Sequence, residues 1–170
     1  TYGQSLIANP RGQTIYQWSN DPGTPAVAVT NAPAVVTYAL VTPTRQLMAF
    51  GCSEEVSGGF NPLCIRFSDI EDITDWTTSA TNNAGEVILE GGGNRIVAAR
   101  LSGAYVIVWT DTALFLGTFQ GTAGWRFDRV GDKCGLIGPN AAVVVGQVAY
   151  WLGINGQFFG YALGSEAKPI

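Results

Sequence analysis

Residues 93–127, GNRIVAARLSGAYVIVWTDTALFLGTFQGTAGWRF, hold four short apolar runs in a row. Ile96–Leu101, Tyr105–Trp109, Ala113–Phe119 and Trp125–Arg129 are each rich in Val, Ile, Tyr, Phe or Trp. Ser102-Gly103, Thr110-Asp111-Thr112 and a Gly-rich break separate them. Branched and aromatic side chains suit a pleated, half-buried surface, and Gly, Ser and Asp supply the turns between. The pattern predicts adjacent antiparallel strands joined as hairpins. A four-stranded meander of this length is the size of one propeller blade.

Working outward, the chain repeats this unit. On the N-terminal side, Ser5–Ala8 faces Ile15–Trp18 across Asn9-Pro10-Arg11-Gly12, half a unit. A Pro-rich loop at 19–33 follows, with Ala26–Thr30 as a short extended piece. Ala34–Leu40, Gln46–Gly51, Leu63–Phe67 and Glu86–Leu89 form the next four strands, with a loop at 53–62 and a polar connector at 68–76. On the C-terminal side a loop at 131–138 leads to Ala141–Val145, Val148–Leu152 and Gln157–Tyr161, and then a polar tail. Asn155-Gly156 supplies the positive φ that a tight hairpin wants.

The second strands start at Gln46, Tyr105 and Val148, steps of 59 and 43 residues, the longer one holding a Thr/Asn-rich insertion. Spacing of about 40–45 with four strands per unit is a propeller signature. No long stretch keeps a helical period. The expected fold is therefore all-β, with about three four-stranded antiparallel blades and partial blades at the ends. Residues 1–170 are read as a single β-propeller domain or a fragment of one. A propeller closes with about four blades or more, so further chain is expected to complete it. A start at Thr1 rather than Met fits such a piece.

Composition narrows the function. With 46% apolar residues the chain can build a real core, and 22 glycines with only 13% charged residues suit many turns between shielded strands. Nine basic and 13 acidic residues give a formal charge of −4, with no Lys/Arg run, which argues against tight phosphate binding. A mildly acidic wall that DNA slides past without sticking remains compatible, because like charges repel. The sequence contains no histidine, so the commonest general base and metal ligand is missing. Cys52, Cys64 and Cys134 form no C-x-x-C pair. They read as buried reduced thiols, with Cys52 and Cys64 on neighbouring strands. No sequon, signal peptide or apolar run near membrane-spanning length is present.

One cluster looks chemical: Asp69, Glu71, Asp72 and Asp75, followed by Trp76, after Arg66 on the preceding strand. Two carboxylates can run glycoside hydrolysis, and oxygen ligands in a loop can hold calcium. The order loosely resembles the Asp-box turn of sialidase-like blades but lacks the glycine and spacing of an EF-hand. The plainer reading is a turn-capping connector with Trp76 packed beneath it. Gly91-Gly92-Gly93 lacks the Lys and helix of a phosphate loop and reads as a flexible turn. Arg66, Arg95, Arg100, Arg126 and Arg129 read as cross-strand or subunit-interface ion-pair residues. Trp109, Trp125 and Trp151 read as core, with a sugar-stacking platform as the alternative.

The series LIANPRGQTIYQW (6–18), CIRFSDIEDITDW (64–76), TNNAGEVIL (81–89), VIVWTDTALFLGTFQG (106–121), CGLIGPNAAVVVGQVAYW (134–151) and FFGYALG (158–164) resembles the tail nozzle proteins of short-tailed bacteriophages. These are also called tail tubular protein B or head–tail stabilisation proteins. The resemblance covers nearly the whole chain. It implies a longer virion protein with a β-propeller, present as a homo-hexamer around the channel through which DNA leaves. It implies other tail proteins as partners, passing DNA without sequence-specific binding, no membrane, and assembly in the host bacterial cytoplasm. No catalytic residue, cofactor or metal is implied. Arg66, Asp69, Glu71, Asp72, Asp75 and Trp76 become connector or interface residues. Phe67 departs from the Trp expected in an Ile-Arg-Trp-Ser-Asp pattern but keeps an aromatic ring. A carbohydrate-binding or glycoside-hydrolysing propeller is the alternative.

Overall fold

A computed structural model describes residues 2–170 of the chain. Among them every regular element is a strand except one 3₁₀ turn at Gly121–Ala123. The strands form four antiparallel sheets: one of three strands and three of four, each ordered as the chain runs. The chain divides into two compact units. One runs to Ile88 and includes Gly121–Gly124; the other comprises Leu89–Gln120 and Trp125–Ile170.

In the first unit β1 (Leu6–Ala8), β2 (Tyr16–Trp18) and β3 (Val27–Ala28) make the three-stranded sheet. Leu6 pairs with Trp18 and Ala8 with Tyr16. The Pro10–Gly12 turn sets this register, with Gly12 at φ 79°. The next sheet holds β4 (Val36–Val41), β5 (Leu47–Ser53), β6 (Phe60–Phe67) and β7 (Gly85–Ile88). All seven residues of β5 are buried, so this central strand reads as a continuous apolar run rather than an alternation. One face joins Ile15, Val29, Leu47, Ala49, Cys64 and Trp76 in a core shared with the smaller sheet.

The second unit repeats the arrangement. β8 (Ile96–Ser102), β9 (Tyr105–Thr110), β10 (Ala113–Phe119) and β11 (Trp125–Asp132) form one meander. β12 (Ala142–Val145), β13 (Val148–Leu152), β14 (Phe158–Ala162) and β15 (Lys168–Pro169) form the other. Alternation along β13 sends Ala149 and Trp151 inward and leaves Tyr150 exposed. Trp151 meets Trp109 edge-on at 5.8 Å and stacks on Phe159 at 5.5 Å. Its indole N–H donates to the Cys134 carbonyl at 2.6 Å. Trp109, Trp125 and Trp151 are all at most 3% exposed, so none offers a ring face to a sugar.

Most strand ends fall within one or two residues of the sequence reading, and three departures are larger. β6 begins at Phe60, inside the expected 53–62 loop, because Pro62 is accommodated by a bulge rather than ending the strand. β11 runs on to Asp132, with a second irregularity opposite Leu114/Phe115. The polar tail is a strand: Lys168 pairs with Gly160, and the Ile170 N–H reaches the Phe158 carbonyl at 2.9 Å. Gly164 at φ 81° turns the chain, and the Ser165 hydroxyl donates to the Ala162 carbonyl at 2.7 Å. Pro169 sits on the outermost strand of its sheet, where a missing N–H costs least.

Cys134 is 1% exposed, and burial pushes its thiol up to about 11. Because the folded value lies above the unfolded one, its contribution is complete below about pH 8.5 and is lost as pH climbs toward 11. Cys64 and Tyr161 are raised as well, Cys64 first by its hydrogen bond with Cys52 and Tyr161 first by burial. The urea midpoint is expected to fall between about pH 9 and 11, with Cys134 contributing about 2 kcal/mol. Cys134→Ala is expected to flatten that fall without abolishing it. A variant profile parallel to the parent's would refute the assignment.

Candidate functional site

The connector between β6 and β7 is the densest polar structure in the first unit. It begins at Ser68, which is fully buried and whose hydroxyl accepts the Leu47 N–H at 3.0 Å. The buried Gln46 amide donates to the carbonyls of Ser68 at 2.8 Å and Asn83 at 3.0 Å. Both ends of the connector are thereby tied to the start of β5. The local order follows from chemistry: Asp, Asn and Thr side chains bind backbone N–H groups within a few residues and so fix turns.

Each aspartate is used in this way. Asp69 Oδ1 accepts the N–H groups of Ile70 at 2.8 Å and Asn83 at 2.7 Å, while its own N–H donates to the Asp75 carbonyl at 2.8 Å. Asp72 Oδ1 accepts the Thr74 hydroxyl at 2.6 Å and the Thr74 N–H at 2.8 Å. The Thr74 hydroxyl, followed by its N–H, holds the Asp72 carboxyl below the usual range. Asp75 Oδ2 accepts the Asn82 amide at 2.8 Å. Glu71 stands apart: at φ 59° it turns outward to an ion pair with Arg45 at 3.1 Å. Both side chains of that pair are more than half exposed, so it contributes little.

Beneath these turns lies Trp76, 1% exposed, its indole N–H donating to the Ile73 carbonyl at 2.7 Å. Arg66 on β6 reaches the same residue. Its Nη2 donates to the Trp76 carbonyl at 2.7 Å, and its guanidinium carbon lies 6.0 Å from the indole centroid. Arg66 is 7% exposed, and among the described residues its Nε has no hydrogen-bond partner. A carbonyl and an aromatic face, not a carboxylate, hold this cation.

The structure thus brings Arg66, Asp69, Asp72, Asp75 and Trp76 together and leaves Glu71 on the rim. Gln46, Ser68, Asn82 and Asn83 belong to the same network and were not singled out in the sequence. For Ser68, Asn82 and Asn83 the signal is the polar run flanking the aspartates; Gln46, just before β5, has none. Among the described residues no group of three or more Cys, Asp and Glu side chains is placed to hold a metal ion, and no helix is long and apolar enough to cross a membrane.

Three other arginines have partners within the second unit. Arg126 pairs with Asp128 at 2.7 Å and Arg129 with Asp132 at 3.3 Å, each along β11 rather than across strands. Arg100 donates to the Pro139 carbonyl at 2.8 Å. The triple glycine is held rather than loose. Arg129 donates to the Gly91 carbonyl at 2.9 Å, and the Asn94 N–H donates to Asp111 Oδ1 at 2.8 Å.

The architecture is that of an all-β protein of antiparallel meanders. No protein-family model matches this chain, and no curated protein matches it.

Proposed function

We propose that this chain is a structural component of a phage tail nozzle, its sheets being blades of a β-propeller. In this reading six copies surround the DNA-exit channel, meet other tail proteins and assemble in the host bacterial cytoplasm. The observation that carries the reading is the ordered series of nozzle-like motifs, each falling on a joint of the fold. CIRFSDIEDITDW is the last part of β6 with its connector, VIVWTDTALFLGTFQG is the β9–β10 hairpin, and CGLIGPNAAVVVGQVAYW carries the chain into β12 and β13.

Two further features support it. Three successive four-stranded meanders follow chain order, the pattern of consecutive blades. Of Asp69, Glu71 and Asp72, the carboxylates that a hydrolase would use, Asp69 and Asp72 accept hydrogen bonds from the connector's own N–H and hydroxyl groups, and Glu71 pairs with Arg45 on the rim. The function is mechanical: rigid strands keep the bore open, loops meet neighbouring subunits, and a chain of net charge −4 lets a polyanion pass without gripping it.

Negative-stain imaging of the intact gene product tests this. Six-fold rings with an axial channel are expected. Monodisperse single copies that bind glycans on an array would overturn the reading in favour of a carbohydrate-active propeller.

A further inference from the structure

Asn61-Pro62 sits within β6, and proline cannot donate to a sheet ladder. The register accordingly slips: Phe50 pairs with Ile65, yet Cys52, two residues on, pairs with Asn61. β6 therefore carries extra residues opposite Gly51, which adopts φ 54°. The bulge has a chemical result. It turns the Cys64 side chain toward Cys52, placing the two sulfurs 3.6 Å apart, both fully buried and both reduced. Cys134 belongs to the core of the other unit.

We propose that Cys52 and Cys64 form a redox staple, a dithiol that a small peroxide converts to a disulfide tying β5 to β6. The balance is simple. One thiol takes oxygen from hydrogen peroxide, giving a sulfenic acid and water. The second sulfur then displaces that hydroxyl, forming the S–S bond and a second water. Two thiols lose two electrons and two protons, and one peroxide becomes two waters. The carboxylate of Glu86 lies 3.5 Å from the Cys64 sulfur and is the nearby acceptor for the thiol proton. The same oxygen accepts the Glu55 N–H at 2.7 Å, which fixes it there.

Closure is slow by construction. Both thiols are sealed, and the neighbouring Cys52 thiol, burial and the Glu86 carboxylate together keep Cys64 protonated. Because both sulfurs are fully buried, the oxidant reaches them when the β5–β6 hairpin opens locally. The bond would close the 52–64 loop, and restricting that loop in the unfolded chain raises stability. The timing, and only the timing, rests on the nozzle reading: a reducing cytoplasm keeps the pair open during assembly, and the oxidising exterior closes it after release.

The test is mass spectrometry of the folded chain after hours in dilute hydrogen peroxide, with alkylation in denaturant. The expected result is one alkyl group instead of three, carried on Cys134, a cross-linked peptide joining Cys52 to Cys64, and a Tm higher by about 5 °C or more. Low urea is expected to speed closure by opening the hairpin tip. Cys134→Ser should leave the cross-link intact and Cys52→Ser should abolish it. If Cys52→Ser does not fold, the peptide map of the parent decides alone. Three alkylated cysteines, sulfinic acid on one sulfur, or links through Cys134 would overturn the proposal. Each outcome is independent of whether the intact gene product forms rings.

Discussion

Gly135→Ala is expected to destabilise the chain by about 3 kcal/mol or more and to lower Tm by about 6–12 °C, while Gly138→Ala, three residues away, changes either little. The difference is a matter of neighbours. A Cβ added at Gly135 would overlap the carbonyl carbon and oxygen of Asp111, backbone atoms with no rotamer to escape into. The segments cannot part cheaply, because two hydrogen bonds clamp them together and a third holds Gly135 from Ile154. The Cys134 N–H donates to the Thr112 carbonyl at 3.0 Å, the Leu136 N–H to the Thr110 carbonyl at 3.0 Å, and the Ile154 N–H to the Gly135 carbonyl at 3.0 Å. Thr110 is itself buried and caps the turn by accepting the Ala113 N–H at 2.9 Å. At Gly138 an added Cβ meets nothing within 4 Å. Thermal unfolding of the two variants by circular dichroism checks the contrast, and equal Tm values would refute it.

That close approach was invisible in the sequence, where GDKCGLIG reads only as a loop. Local patterning specifies what neighbours in sequence do, and so the hairpins of residues 93–132 were legible almost to their ends. Tyr105–Thr110 and Ala113–Phe119 carry branched and aromatic runs between strong turn residues, and the strands lie there. What escaped was decided at long range. The tail is polar and ends in Lys-Pro-Ile, and Lys168–Pro169 becomes a strand because β14 offers it an open ladder. Pro62 looked like a loop residue because its role, a bulge, exists only in the presence of β5.

The connector shows the same division. Asp, Thr and Asn at short spacing signalled turns, and turns are what Asp69, Asp72 and Asp75 build. The tie from Asp69 to Asn83 and the grip of Gln46 on both ends span 14 to 37 residues and depend on sheet order. The arginine pairs on β11 follow the same division. Residues two apart on one strand, such as Arg126 and Asp128, share a face and can pair there without a cross-strand partner.

The connector's stability should therefore fail at its buried ring rather than at its carboxylates. Trp76→Ala is expected to cost about 3–5 kcal/mol, the range for deleting a large buried aromatic, because Trp76 lies in the core with Ile73, Leu47 and Cys64. The loss extends beyond the cavity. Arg66 would keep the carbonyl of residue 76 but lose the ring face beside its charge, and a buried cation with a single good partner is costly. Hydrogen exchange is the sharpest readout: amides held by the connector's aspartates, those of Thr74 and Asn83, should lose protection first. Arg66→Met separates the two contributions. It fills similar space without a charge to satisfy, so it should cost well under half as much as Trp76→Ala. An Arg66→Met penalty equal to that of Trp76→Ala would mean that the guanidinium, and not the indole, holds the connector to its sheet.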